Sequence, residues 1–397
     1  MIPFREALDL LVRHTPLLPA EACRIGQAAG RVLREDVRAD RAFPPFDRVM
    51  MDGYALRSAD WRAGRRSFHV TGTAPAGRPT VALSEKPGAC VEVMTGAPLP
   101  AGADSIVPLE EISRPGGDDI LIDGSAEVVA GRFIHRAGSD AAVGEVLLRP
   151  GTLLGSREIG VAAACGAAFL QVAALPRITV IATGDELVAV DETPRPHQIR
   201  QSNAHAIACT LRRAGHPPLH VVTLGDDARA SGPALLDALA GCDWLVLTGA
   251  VSQGARDFIP ALLDGHCTRL FHGVAQRPGK PAGCWLGPAG QVIVALPGNP
   301  VAALTGLHVF GLPALAVASG MPLPVTRRVI PLGRVEALSA MTRHLPVRLG
   351  ADGRAQAAAT GNSGDMIGLL DSDGFITLPP REEISGIAAA FPFTPWL

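Results

Sequence analysis

Aromatic side chains are scarce in this 397-residue chain: they make up 4% of it, and tyrosine occurs once. That scarcity removes the stacking platforms on which single-stranded nucleic acids are bound. A surplus of positive charge is missing as well. The 36 Lys and Arg stand against 38 Asp and Glu, a net charge of −2, where a nucleic-acid surface needs a basic excess. The seven cysteines (23, 90, 165, 209, 242, 267 and 284) are odd in number and no pair is spaced CxxC. This fits reduced thiols in a cytoplasmic setting rather than a disulfide framework or a zinc ribbon. His14, His69, His205, His220 and His272 lack metal-ligand spacing and read as structural or surface residues. The start, MIPFREALDLLVRH, has charges inside its apolar stretch and no cleavage-like site, so it does not read as a signal peptide. The longest apolar stretch, 159–176, is Ala-rich and interrupted by Gly and Gln, poor content for a membrane span. A soluble cytoplasmic protein with neither nucleic acid nor membrane as partner is expected.

What is present is apolar mass and punctuation. Hydrophobic residues make up 47%, with 44 Gly and 34 Pro lying between apolar runs, which gives well-filled cores joined by tight turns. The length points to two to four domains. Phe4, Ala7, Leu8 and Leu11 predict an amphipathic helix over 4–14. From 43 to 150, short apolar runs at 67–71, 89–94, 105–109 and 120–122 alternate with Gly and Pro turns and predict a β-rich domain. A short helical return is expected over 150–173. From 177 to 320, strands (177–183, 219–223, 244–248, 292–296) alternate with helices (203–215 with an Asn N-cap, 233–240, 258–263, and 301 to about 318). That order predicts a parallel, doubly wound α/β sheet. The tail, 325–397, reads as a small β domain. No internal repeat is present.

In an open α/β sheet, ligands bind at the carboxyl ends of the strands. Four predicted strand ends carry Thr183-Gly184-Asp185-Glu186, Gly225-Asp226-Asp227, Gly249-Ala250-Val251-Ser252-Gln253-Gly254 and Pro297-Gly298-Asn299-Pro300. One such loop is ordinary turn chemistry; four on one sheet edge point to a ligand site. The Gly residues let backbone approach a ligand, the helix starts offer N–H groups to anions, and the carboxylates suit a hard cation such as Mg²⁺. Arg277-Pro278-Gly279-Lys280-Pro281 presents two cations around a turn, fit for a tetrahedral oxyanion, although the spacing is not that of a P-loop. In the β-rich domain, Asp52 before Gly53 predicts a tight turn, and Thr95-Gly96 a strand end bearing a hydroxyl.

Taken together, FPPFDRVMMDGYALR (43–57), VMTGAPLPAGADSIVPLEE (93–111), ITVIATGDEL (178–187), the 249–258 loop, RPGKP (277–281) and LPGNPVAAL (296–304) resemble the sequence blocks of the molybdopterin molybdenumtransferase family, the MoeA and gephyrin E-domain type, in the family's order. The resemblance implies four parts: a split helical linking domain (1–42 and 145–174), an inserted β-rich domain (43–144), a molybdopterin-binding α/β domain (175–323) and a C-terminal β-barrel (324–397). It implies a homodimer whose cleft is shared between the α/β domain of one subunit and the inserted domain of the other. Adenylylated molybdopterin, molybdate and Mg²⁺ are the implied reactants and cofactor. Molybdenum-enzyme apoproteins or other cofactor-biosynthesis proteins are the implied partners. The family's catalytic positions fall on Asp52, Thr95, Asp140, Glu186, Asp226 and Asp257, with Glu186 and Asp226 toward the metal. Its pterin loops fall on Thr183, Gly184, Asp185, Gly249, Ser252, Gly254, Pro297, Gly298, Asn299 and Pro300. Its molybdate pocket falls on Arg277, Lys280, Pro281 and Ser363.

Departures accompany the matches. Ser139 replaces the Glu of a Gly-Glu-Asp element, and Ala250 the second Gly of its loop. Arg277 replaces a Lys, Ala302 a Ser, and Pro346 an Arg, with Arg343 and Arg348 close by in sequence. These changes weaken the oxyanion pocket more than the pterin loops. They leave two alternatives beside the enzyme: a paralogue that binds and delivers molybdopterin or finished cofactor without inserting metal, and a dimeric scaffold.

Overall fold

A computed structural model describes residues 1–251, 258–333, 335–360, 362–381 and 390–397. The chain divides into two compact units, Asp36–Arg149 with Ser156–Ala168, and Met1–Glu35 with Pro150–Gly155 and Phe169–Leu397. Helix α1 (Phe4–His14) opens the second of these. It buries Ala7 and Leu11, four residues apart on one face, and carries Arg13 and His14 in its last turn, where the helix dipole favours cations.

In the Asp36–Arg149 unit, β1 (Gly53–Leu56), β2 (Ser67–Ala74), β3 (Ala89–Val93), β4 (Ser105–Pro108), β5 (Ile112–Gly116) and β6 (Asp119–Ile122) form one sheet, ordered β4-β1-β3-β2-β6-β5. Ala55, Val91, Val93 and Ile106 enter one core; Tyr54, Leu56, Cys90 and Val107 enter the other. Burial on both faces explains why these strands read as continuous apolar runs. Gly53 does not sit in the tight turn expected from Asp52-Gly53. It begins β1, where a Cβ would lie 2.1 Å from the Val107 carbonyl oxygen, so glycine permits the pairing with β4. The return segment is helical only over α2 (Ser156–Ala164). Phe169–Ala173 instead pairs antiparallel with Ala20–Arg24, so 159–176 is no continuous apolar helix.

In the larger unit, β7 (Ile178–Thr183), α3 (Asn203–Arg213), β8 (His220–Leu224), α4 (Ala228–Ala240), β9 (Trp244–Thr248) and α5 (Ile259–His266) alternate as expected. Then come β10 (Thr268–His272), β11 (Val274–Arg277), β12 (Gly283–Leu286), β13 (Val292–Leu296) and α6 (Pro300–Gly306). The sheet order is β8-β7-β9-β13-β12-β10. The first four strands are parallel; β12 runs antiparallel to both its neighbours, β13 and β10, which corrects the all-parallel expectation. The reason is the short turn between β12 and β13, which makes a hairpin where a parallel pair needs a long crossover. Ile178, Val180, Trp244, Val246, Val292 and Val294 face α1, α3 and α6; Ile181, Leu245, Leu247 and Ile293 face α4 and α5.

Helix α4 begins a turn earlier than expected because Asp227 caps it, accepting from Arg229 N. Beyond α6 a π-turn (Leu307–Gly311) leads into α7 (Leu312–Ala318). The continuous helix Pro300–Ala318 is long and apolar enough to cross a membrane, but most of it is buried within the protein, as a core helix is. The tail supplies β14 (Arg327–Val329), β15 (Thr342–Leu349), β16 (Ala355–Ala357), β17 (Gly374–Leu378) and β18 (Phe391–Pro395). Its sheet is not self-contained, since Ile2–Pro3 and β11 join its edge through β15.

Candidate active site

The order β8-β7-β9-β13 reverses direction between β7 and β9, which is the crevice where doubly wound sheets take ligands. The carboxyl ends of these strands converge there. Gly249, at φ 97°, passes so close to β7 that a Cβ would lie 2.3 Å from Thr183 O and 2.8 Å from Thr183 Oγ1. Gly298 in turn sits against Gly249 Cα. Asn203 does not cap α3, as the local pattern predicts; it is the first helical residue. Its amide donates to Thr248 Oγ1 at 3.2 Å and to Gly298 O at 2.6 Å, and Thr248 Oγ1 donates to Pro297 O at 3.0 Å. A three-loop brace results. Thr183 Oγ1 and Asn203 Oδ1 are buried and have no hydrogen-bond partner. Such groups cost about 1–3 kcal/mol each and persist where function requires them.

The acidic loops interlock. Asp226 N donates to Asp185 Oδ1 at 2.9 Å and Asp185 N to Asp226 Oδ2 at 3.4 Å. The Glu186 carboxylate lies over Gly184, where a Cβ would meet it at 2.7 Å. Three carboxylates thus gather on two neighbouring strand ends. Ala250 holds φ 47°, a left-handed conformation, so the residue replacing glycine keeps a backbone that costs it about 1–2 kcal/mol. His272 Nε2 bonds the Val251 carbonyl at 2.8 Å and steadies the same loop. Ser252, Gly254 and Asp257 lie outside the described residues.

In the Asp36–Arg149 unit, Thr95 donates to Asp52 Oδ1 from its backbone N at 2.6 Å and from its hydroxyl at 2.7 Å. These bonds hold the Asp52 carboxyl below the usual range. The Thr95 hydroxyl proton is therefore engaged, and Oγ1 offers lone pairs outward. Asp140 Oδ1 accepts from His135 Nε2 at 2.7 Å and from Ser139 Oγ at 3.1 Å, and the His135 bond is the main cause that lowers its pKa. Arg48 donates to His135 Nδ1 at 3.0 Å, which puts the imidazole proton on Nε2, facing Asp140.

The segments to which the resemblance assigns the oxyanion pocket also lie together. The Arg277–Pro281 turn comes to Ala302 O through Gly279, and Val301 N donates to Ser363 O. Asn299 Nδ2 donates to Ser363 Oγ at 2.9 Å. Arg343 stands directly across β11–β15 from Arg277, while Pro346 and Ala302 are buried. The turn is held from beneath. His344 Nε2 bonds Gln276 Oε1 at 3.2 Å, and Gln276 Nε2 donates to Gly279 O at 3.1 Å. Burial pushes the His344 pKa down to about 3, so the ring stays neutral in this chain of bonds.

Residues 2–166 match the MoeA N-terminal region (domain I and II), and residues 179–317 match a probable molybdopterin binding domain. The chain is 33% identical to the molybdopterin molybdenumtransferase of Synechocystis sp. over 402 residues, 100% of both chains. It is 38% identical to molybdopterin molybdenumtransferase 2 of Mycobacterium tuberculosis over 319 residues, 76% of this chain and 77% of that one. The chain belongs to the molybdopterin molybdenumtransferase (MoeA) family. The crystal structure of the MoeA protein of Pyrococcus horikoshii OT3 superposes over 100% of both chains with a TM-score of 0.83 at 27% identity. The protein is thus a MoeA-type transferase of molybdenum cofactor biosynthesis. Asn203, His135 and Gln276, which hold these loops, carry no motif signal in the sequence. Only the polar start of α3 hinted at Asn203.

Proposed function

We propose that this MoeA-type protein binds adenylylated molybdopterin at the β7–β9 crevice, cleaves the pyrophosphate link to AMP, and places molybdenum from molybdate on the dithiolene. The observation that carries this reading is the pair of buried unpartnered oxygens, Thr183 Oγ1 and Asn203 Oδ1, at the switch point. An oxygen- and nitrogen-rich pterin restores their hydrogen bonds. Among the described residues no three His, Cys, Asp or Glu form a closed metal cluster. That suits Mg²⁺, which takes one or two carboxylates and completes its shell with water and substrate phosphate. Glu186 and Asp226 would hold it, and when bound it neutralises phosphate charge. Asp52, Asp140 and Asp257 orient and deprotonate the water that adds to phosphorus as the P–O–P bond breaks. Arg277, Lys280, Pro281 and Ser363 receive molybdate, with Arg343 the nearest guanidinium to Arg277 along the sheet.

The finer architecture belongs to the same reading: a split helical linking domain (1–42 and 145–174), an inserted domain (43–144), an α/β domain (175–323) and a C-terminal barrel (324–397). So do the cytoplasmic location, the homodimer with its shared cleft, and delivery to molybdenum-enzyme apoproteins. The relatives' names favour the transferase over the delivery-only paralogue. The test is AMP release from adenylylated molybdopterin with molybdate and Mg²⁺. Asp52→Ala and Glu186→Ala should each lose most of it, and mixing the two after subunit exchange should restore part, because one cleft of each heterodimer is intact. Full activity of either variant alone, or no recovery from the mixture, contradicts the proposal.

A further inference from the structure

Away from the strand-end loops, the larger unit holds a cavity of about 260 Å³. Val32, Leu153, Leu175, Leu312, Ala316 and Met321 give it hydrocarbon walls. Arg31 and His216 line it too, and Arg31 Nε and His216 Nδ1 are buried without a hydrogen-bond partner. Arg31 is anchored through Nη2, the nitrogen beside Nε. Its Nη2 donates to the Ala173 carbonyl at 2.6 Å and to Glu21. The guanidinium is therefore fixed and ion-paired with Glu21, and its Nε–H alone is without a partner. Burial and the neighbouring Arg31 charge lower the His216 pKa, which leaves a neutral imidazole beside a cation. The hydroxyl on the wall, Ser319 Oγ, is spent on Leu315 O.

We propose that this cavity is a binding site for a small monocarboxylate with a short apolar body. The carboxylate meets Arg31 Nε and His216 Nδ1, and the body fills the hydrocarbon walls. One charge-assisted N–H from Arg31 and one N–H from a neutral imidazole suit the two oxygens of a carboxylate. A phosphate-like dianion needs more charge-assisted donors than these two nitrogens. A neutral apolar molecule leaves both unpaired. The site is separate from the β7–β9 crevice, and the inference stands without the molybdopterin reading.

The experiment is isothermal titration of the full-length protein with 3-phenylpropionate, and with 3-phenylpropionamide as the uncharged match. Saturable binding of the acid, one per chain, is expected, with the amide about tenfold or more weaker. Arg31→Met also breaks the anchor to Ala173 and can unfold the chain, so His216→Leu and Ala316→Leu are the working variants. The first removes a polar contact and the second fills the cavity. Each should weaken the acid about tenfold or more while thermal unfolding stays cooperative. Absence of saturable binding, equal affinity for acid and amide, or unchanged affinity in both variants would overturn the site and leave a water-filled cavity.

Discussion

The two groups of candidate residues are built on opposite plans. At the ends of β7, β9 and β13, loops brace one another through Asn203 and Thr248, and two buried oxygens are left without partners. In the inserted unit, the acids are already satisfied: Asp52 holds two hydrogen bonds from Thr95, and Asp140 is held by His135 and Ser139. The first arrangement is short of hydrogen bonds, which on the proposed reading the pterin supplies. The second fixes negative charge in advance, keeping both carboxyls ionised into acid. Backbone and cavity shape recognition in one; charge shapes chemistry in the other. Substitutions should therefore fail differently in the two places.

The largest effect is expected from Gly249→Ala. A Cβ there meets Thr183 O at 2.3 Å, on a backbone at φ 97°. The left-handed conformation alone costs about 1–2 kcal/mol, and the contact adds to it, so the loop must leave its place. AMP release should fall by about two orders of magnitude, with Tm lower by several degrees. Unchanged turnover would show that the close approach of β7 and β9 is packing only.

A smaller and pH-dependent effect is expected from Thr95→Ala in the inserted unit. The Asp52 pKa is depressed, so its hydrogen bonds favour the folded chain above the unfolded-state pKa. That contribution is lost as pH falls through the depressed value, which places the window below about pH 4. Without the Thr95 hydroxyl the Asp52 pKa should rise, and the acid limb of kcat/KM should move to higher pH. Thr95→Ser should restore it. A pH profile indifferent to both substitutions would separate Asp52 from the chemistry.

Much of this contrast was legible in the sequence. Gly and Asp at the ends of β-branched runs mark strand-end loops whatever the tertiary structure, so 183–186, 225–227 and 296–300 could be read directly. Residue 203 misled because Asn before an apolar run is a good local cap, and only the return of β9 and β13 gives its amide better partners. Strands β10 (TRLFH), β11 (VAQR) and β12 (GCWL) were missed since Arg, Gln, His or Gly stand where the strands that were read carry unbroken apolar or β-branched runs. The pairing of Arg277 with Arg343 is a register between distant segments, and no local pattern encodes it. The His135–Asp140 bond hides in the same way, since its tautomer depends on Arg48 from another strand.

The smallest effect in this series belongs to Ala302→Ser. Ala302 is 2% exposed beside the Arg277–Pro281 turn. One returned donor is worth about 1 kcal/mol, or roughly fivefold in the molybdate concentration that half-saturates AMP release. If nothing changes, and Arg343→Ala raises that concentration instead, then the pocket has been rebuilt around the Arg277–Arg343 pair.

Thr183→Val separates the two plans most directly. The substitution keeps shape and removes a buried hydroxyl that has no hydrogen-bond partner in the protein. If that hydroxyl is kept for the pterin, molybdopterin affinity should fall about five- to hundredfold, while Tm stays level or rises by a degree or two, because an unsatisfied buried group has been deleted. A fall in Tm with unchanged molybdopterin affinity would contradict it, and would make Thr183 part of the fold rather than of the site.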